Sequence, residues 1–341
     1  MQDEYDVDLF SWQDVQAARN SGFNSVSIKF YKLKGISLGP AIIYNFLPFL
    51  FGKYDVIVLV QEMKWLSHWF ILIFARLFGK KVILWGHGIT VAKYIEFEKK
   101  MPLSRKFMYR LADGAWFYTK KEQQLWQEIM PDLKSVALDN TISGVSDILK
   151  YQLPNDKQSL KDKHEIRADF NFIICTRFAN LLRRMDLFVE LAEQLDTKKY
   201  GFIVIGEGPQ KPDFSKYPNV YDFGAVYNKS IKDELFAIAD VYFQPGWCGL
   251  SIVEAMAYGK PVFTFQRSKD VLQCVEYGYI KHGYNGMIFD ELEDMVDYIK
   301  DVEIAEIRQL GCQARQYVQE NLTMENMVRN AIIGIEQVLC K

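Results

Sequence analysis

The sequence predicts an α/β protein built from two Rossmann-like domains, and three observations carry that prediction. Short apolar runs alternate with longer amphipathic stretches, the pattern of parallel strands joined by crossover helices. The 341 residues exceed what one hydrophobic core organises comfortably and suit two domains. A polar, charged stretch, Leu149–Ala168, interrupts the alternation near its middle and reads as a linker.

On this reading residues 1–160 form an N-terminal domain, and residues 161–322 form a C-terminal domain. A final helix, 323–341, packs back on the first. In the N-terminal half the expected strands are Ser25–Phe30, Asp55–Val60, Lys81–Trp85, Gly114–Tyr118 and Ser135–Leu138. Helices are expected over Leu66–Phe78, Val91–Leu111 and Lys120–Met130. Pro40 and Pro48 break the apolar run Ile36–Phe51, which therefore reads as a short helix or loop. In the second half the strands are Phe172–Thr176, Phe202–Ile205, Val220–Phe223, Asp240–Gln244 and Pro261–Phe265. Helices are Met185–Leu195, Ile231–Ala239, Leu250–Tyr258 and Glu291–Val302. The end, Ile304–Leu339, is helical with a break near Leu322–Thr323.

Composition excludes several classes. Hydrophobic residues make up 49% and charged residues 25%, an ordinary globular balance without long disorder. A net charge of -2 gives no global attraction to nucleic acid. Five cysteines, odd in number and without CxxC spacing, read as reduced, mostly buried thiols of a cytoplasmic protein. Four scattered histidines announce no zinc site. Met1–Phe10 is acidic and unlike a signal peptide. The longest apolar run, Trp69–Ala75, is far short of the roughly 20 residues a membrane span needs. Trp65, Trp69, Phe70 and Phe74, flanked by Lys64, Arg76, Lys80 and Lys81, suit peripheral contact with the inner face of a membrane. A core helix of the first domain accounts for most of the same residues.

In an open parallel sheet, ligands gather at the carboxyl ends of the strands, and four motifs sit at such ends. Gly206-Glu207-Gly208-Pro209 follows an apolar strand, where glycines allow a tight turn and close backbone approach. It is no dinucleotide fingerprint: the third glycine would fall on Lys211, and Pro209 disrupts the helix start. That argues against a Rossmann oxidoreductase, and an ordinary β-turn is the plainer reading of the motif alone. Arg177 ends another strand, with Arg183 and Arg184 soon after. Guanidinium groups there suit a diphosphate, although one of the two neighbouring arginines reads as a solvated helix start. The segment Val241–Val262 runs strand, small-residue loop, short helix, glycine and strand. Its helix start at Gly249, Leu250 and Ser251 offers free N–H groups to an anion. Glu254, one turn later, can accept hydrogen bonds from both hydroxyls of a ribose, or simply face solvent near the helix dipole. His87, between Gly86 and Gly88, can meet a sugar hydroxyl or a leaving phosphate, or pack as a loop histidine.

Taken in order, these motifs resemble the retaining GT-B glycosyltransferases of family 4 (glycosyl transferases group 1), of the bacterial polysaccharide-assembly type. The resemblance runs from Asp55 onward and is strongest from Cys175 to Phe289. It implies a GT-B fold, with two Rossmann-like domains facing a central cleft, the N-terminal one on the acceptor side and the C-terminal one holding a nucleotide-diphospho-sugar donor. It implies diphosphate binding by Arg177 and Arg183, a donor-side turn at Gly206–Pro209, backbone contact with the base at Phe223–Val226 and a structural turn at Tyr284-Asn285-Gly286. The acceptor would be a glycan or lipid-linked saccharide, with no metal or other cofactor. One departure stands out. The family pairs two glutamates as Glu-x7-Glu; here the second is Glu254, and the first position holds Gly246. The earlier acid would contact the donor sugar, so sugar choice and anomeric outcome are left open. A catalytically silent partner of a polysaccharide-assembly complex is the alternative reading.

Overall fold

The computed structural model describes residues 5–12, 29–152 and 156–340. The chain divides into two compact units: residues 1–89, 96–138 and 328–341, and residues 90–95 with 139–327.

Among the described residues of the first unit, β1 (Asp8–Ser11) and β2 (Lys29–Lys32) form a parallel pair. The expected strand Ser25–Phe30 falls mostly outside the described residues. β3 (Gly35–Leu38) and β4 (Ala41–Tyr44) form an antiparallel hairpin, where the sequence suggested a short helix or loop. Its turn uses Gly39 at φ +59, and the helix Leu47–Phe51 follows, with Pro48 in its tolerated first turn. The main sheet is parallel, with β5 (Val56–Val60), β6 (Lys81–Gly86), β7 (Gly114–Phe117) and β8 (Ser135–Ala137) in sequence order. The expected helix Val91–Leu111 is in fact three pieces, a 3-10 turn Val91–Lys93 and the helices Tyr94–Lys99 and Leu103–Leu111. Pro102 stands before the last and cannot continue the previous one. The final helix, Met324–Leu339, lies against this sheet. A Cβ on Gly334 would come 2.3 Å from Trp116 Nε1, and one on Gly114 would come 2.6 Å from Val338.

The second unit holds six parallel strands: β9 (Phe170–Cys175), β10 (Tyr200–Ile205), β11 (Val220–Asp222), β12 (Val241–Phe243), β13 (Val262–Phe265) and β14 (Gly286–Phe289). Their order is β11-β10-β9-β12-β13-β14. The chain winds outward from β9 to β11, then restarts on the other side at β12. The switch between β9 and β12 is where such sheets bind ligands. Both faces are covered: Ile173, Ile203 and Ile205 point into one core, Phe172, Ile174, Phe202 and Val204 into the other. Continuous apolar strands follow from that double burial. β14 was not expected as a strand because it opens on glycine. The structure explains the glycine, since a Cβ on Gly286 would meet Val262 O at 2.2 Å.

The linker reading of Leu149–Ala168 is corrected. Asp156 caps the helix Lys157–Lys163, accepting from Ser159 N at 3.0 Å. Lys157 pairs with Asp240 at 2.6 Å, and Lys163 and His164 both hold Glu234. Arg315 donates to the carbonyls of Leu149 and Tyr151. These tethers make the described part of the stretch a packed piece of the second unit, whose longer segment runs from Asp139 to Met327. All five cysteines are free, but Cys312 and Cys340 are exposed, Cys175 and Cys274 are half-buried, and only Cys248 is fully buried.

Candidate active site

At the carboxyl end of β9 the chain passes through Thr176 to Arg177. The turn Gly206–Pro209 lies directly against it. Thr176 N donates to Ile205 O at 3.0 Å, Phe178 N to Glu207 O at 3.1 Å and Gln210 N to Phe178 O at 2.9 Å. Gly206 (φ +137) and Gly208 (φ +155) are required by their backbone conformation. They are also required by space: Cβ atoms there would meet Thr176 O at 1.8 Å and Phe178 O at 2.4 Å. The turn is thus a buttress for the strand end that carries Arg177. The Glu207 side chain accepts from Lys211 at 2.9 Å, and Lys211 also reaches Asp222 at 2.7 Å. These side chains border an open depression of about 770 Å³ beside β11. Val226 packs half-buried against the core beneath β11.

The three arginines separate in role. Arg177 is exposed and makes no hydrogen bond or ion pair among the described residues. Arg183 Nη1 donates to Trp247 O at 2.7 Å. Arg184 is left-handed, with φ 52, and is tied to Asp186 and to Asp270 O. Arg184 is therefore the structural member of the pair, capping the helix Met185–Gln194.

Two glutamines, not apparent from the sequence, hold the loop after β12. Buried Gln244 accepts from the Tyr242 and Ser251 hydroxyls at 2.8 and 2.9 Å. Its amide donates to Gly246 O at 3.2 Å and Trp247 O at 2.6 Å. Buried Gln273 accepts from Cys248 N at 2.8 Å and donates to Pro245 O, Thr264 Oγ1 and Phe265 O. Trp247 sits at φ 52, a strained conformation for a bulky residue that these bonds hold in place. The helix Ser251–Ala257 starts at Leu250 without a side-chain cap; Ile252 N and Val253 N already donate to Gly249 O and Leu250 O at 3.1 Å, so the N–H groups left to a ligand are those of Gly249, Leu250 and Ser251. A Cβ on Gly249 would meet nothing closer than Trp247 O at 4.0 Å. The Ser251 hydroxyl, by contrast, is already committed to Gln244.

Gly246 is buried, and a Cβ there would lie 2.4 Å from Leu182 O. The position where the resembled family keeps an acid thus has no room for one. Glu254 is half-buried and pairs with Lys232 at 2.6 Å. Lys232 belongs to the helix Lys229–Ile238, and sequence reading missed it because the two residues lie on separate helices. Burial alone would lower the Lys232 pKa, but the Glu254 carboxylate paired with it holds it above the ordinary lysine range. Burial pushes the Cys175 thiol up to about 11, so it is neutral.

His87 lies in the first unit, after β6. Gly88, at φ +72, lets the chain pass Trp126, whose indole donates to Gly88 O at 3.1 Å. The His87 ring meets Tyr118 edge-on at 4.3 Å. Burial, with the Arg105 charge nearby, lowers its pKa, so the imidazole is neutral at pH 7. All the other expected site residues lie in the second unit, most of them at the carboxyl end of its sheet. Among the described residues no three His, Cys, Asp or Glu side chains are arranged to hold a metal ion.

Residues 169–302 match the family described as Glycosyl transferases group 1. The alpha-monoglucosyldiacylglycerol synthase of Acholeplasma laidlawii is 33% identical over 158 residues, 42% of this chain and 37% of that one. The chain thus spans little more than a third of that relative's length. Among solved structures, Anabaena Alr3699/HepE in complex with UDP superposes with a TM-score of 0.68 at 13% identity, covering 96% of this chain and 91% of that one. Sucrose-phosphate synthase from Thermosynechococcus elongatus gives 0.61 at 17% identity, covering 84% and 74%. These likenesses show the fold, which is the GT-B class expected from the sequence.

Proposed function

We propose that this chain, which carries a glycosyl transferases group 1 domain on a GT-B fold, transfers a sugar from a nucleotide-diphospho-sugar to a glycan or lipid-linked saccharide in surface polysaccharide synthesis. The observation that carries the reading is Arg177. A guanidinium stands exposed and, among the described residues, unpartnered at the topological switch point, and the turn beneath it is built of glycines that no other residue replaces. An arginine without protein partners at a strand's carboxyl end is placed for an anionic ligand.

In this reading Arg177, Arg183 and the uncapped helix start at Gly249–Ser251 neutralise the diphosphate as it departs. Preorganised charge aimed at a leaving group is commonly the largest catalytic contribution. Cations and backbone N–H groups do this without a metal. Backbone groups near Val226, with the Gly206–Gly208 turn, bound the nucleoside, and Glu254 takes the ribose hydroxyls. Neutral His87 offers a hydrogen bond to a sugar hydroxyl. We assign a retaining outcome by family resemblance, tested by the anomeric configuration of the product. Arg177→Ala is expected to lower transfer or donor hydrolysis by at least about a hundredfold with an unchanged melting temperature, since the side chain holds nothing else. Retained turnover would remove the assignment.

Gly246 favours a second reading, a catalytically silent partner in a polysaccharide-assembly complex. Melting curves against UDP-, GDP- and other nucleotide-sugars separate the two, because a silent partner would show no shift with any of them.

The acceptor side rests on a different observation. The helices Leu47–Phe51, Leu66–Phe74 and Leu103–Leu111 are neighbours in the first unit. With the 3-10 turn Ala75–Phe78 they expose Phe51 (68%), Leu77 (78%) and Leu103 (81%) with Phe70, Phe74 and Phe107, among the described residues. Exposed Lys53, Arg76 and Arg110 lie on the same segments. An apolar patch of this size with basic neighbours suits an anionic membrane face and a lipid-linked acceptor. Of the residues expected there, Phe70 and Phe74 are exposed, and Trp65 and Trp69 are half-buried. Ser67, His68, Ile71 and Leu72 take the core-facing side of the helix.

A further inference from the structure

We propose that Lys232 is a positioning residue for ribose recognition: it anchors one oxygen of Glu254 so that the carboxylate presents its other oxygen to the sugar hydroxyls of the donor nucleoside. This rests on the donor-site reading above. Glu254 Oε1 is 2.6 Å from Lys232 Nζ, and Oε2 has no hydrogen bond among the described residues. The pair is mostly withdrawn from water, with side-chain exposures of 23% for Lys232 and 18% for Glu254. A carboxylate so placed adopts one rotamer, and a ligand hydroxyl meets it without the entropy cost of ordering it.

The anchor is itself fixed. Asn228 caps the helix Lys229–Ile238 by accepting from Ser230 N at 2.9 Å and Ile231 N at 3.3 Å. Cys175, at the end of β9, is half-buried. The Tyr242 hydroxyl, which donates to Gln244, lies 3.1 Å from Cys175 O. The Lys232 ammonium therefore ties the helix Ser251–Ala257 to the helix Lys229–Ile238. Specificity for a ribonucleotide would come from this bridge as well as from the glutamate.

The test is calorimetric binding of UDP or GDP, their 2′-deoxy counterparts and inorganic pyrophosphate to the wild type, K232M, E254Q and the double variant. The wild type is expected to prefer the ribonucleotide by about tenfold or more. K232M should bring that preference close to unity while leaving pyrophosphate affinity unchanged. In the E254Q background, K232M should have no further effect, because a residue acting through Glu254 has nothing left to position. The double variant removes both charges together and avoids an orphaned buried ion if K232M folds poorly. An intact ribose preference in K232M, a loss of pyrophosphate binding, or a persisting effect in the E254Q background overturns the role of Lys232 alone. Failure of the wild type to bind any nucleoside diphosphate overturns the donor-site reading, and this role with it.

Discussion

Single residues decide what the loop after β12 admits. Gly246 is held against Leu182 O, so Gly246→Glu, which recreates the family's paired acids, is expected to destabilise the fold by about 1–3 kcal/mol. It should not raise activity; a variant with unchanged denaturant midpoint and faster transfer would contradict this geometry. Lys260 makes a second residue-scale prediction. It is buried, donates to Ala239 O at 2.7 Å, and burial lowers its pKa from 10.5 to about 8. Between those values the unfolded chain binds the proton and the folded chain does not, so stability rises with pH there and the cost is complete below pH 8. Comparing wild type with Lys260→Met cancels the other groups. Wild-type stability relative to the variant should climb by about 3 kcal/mol from pH 8 to 10.5, and a flat difference in urea titrations would refute it. Arg177, Gly206, Gly208 and Glu254 were legible because strand ends and glycines announce themselves locally. Lys232, Gln244 and Gln273 were not, because their partners are supplied by tertiary packing, in several cases from separate elements.

Among elements, the second sheet was the most readable. Its strands are buried on both faces and so are written as unbroken apolar runs. The exceptions have physical reasons. β14 opens on a glycine that its neighbour's carbonyl requires, and the β3–β4 hairpin turns through Gly39 and Pro40 inside an apolar run. The helix Lys157–Lys163 is polar because it is held by ion pairs and a cap, not by a broad apolar stripe. The loop Pro245–Leu250 is the element on which the donor reading depends, and Gln273 is its main tie to β13. Gln273→Leu would strand the buried Cys248 N–H and take the amide donor away from Pro245 O, Thr264 Oγ1 and Phe265 O, costing about 3 kcal/mol. The expected outcome is a melting temperature several degrees lower and weaker nucleotide binding. Unchanged values for both would show that the loop keeps its shape without this side chain.

For the whole molecule, composition gave the class and the alternation gave two parallel sheets. The break at Asp139 was hidden because the residues after it are polar yet tethered to the second unit. The exposed patch of the first unit sets the molecular-scale prediction. Flotation with vesicles containing an anionic lipid should carry the protein upward, less so at raised salt. Replacing Phe51 and Leu77 with Ser should leave it at the bottom of the gradient with its fold intact. Wild-type protein that stays with the soluble fraction would remove the membrane assignment. The first unit has a further property: its last piece, from Val328 onward, follows the second unit in the sequence. On a ribosome adding about 5–20 residues per second, Trp116 and the sheet around it must wait for the entire second unit to be synthesised before Gly334 arrives to cover them. That interval, on the order of ten seconds or more, leaves an aromatic sheet face uncovered in the nascent polypeptide. Chaperone capture during synthesis, and intolerance of early stop codons in the final helix, are built into the order in which this protein is made.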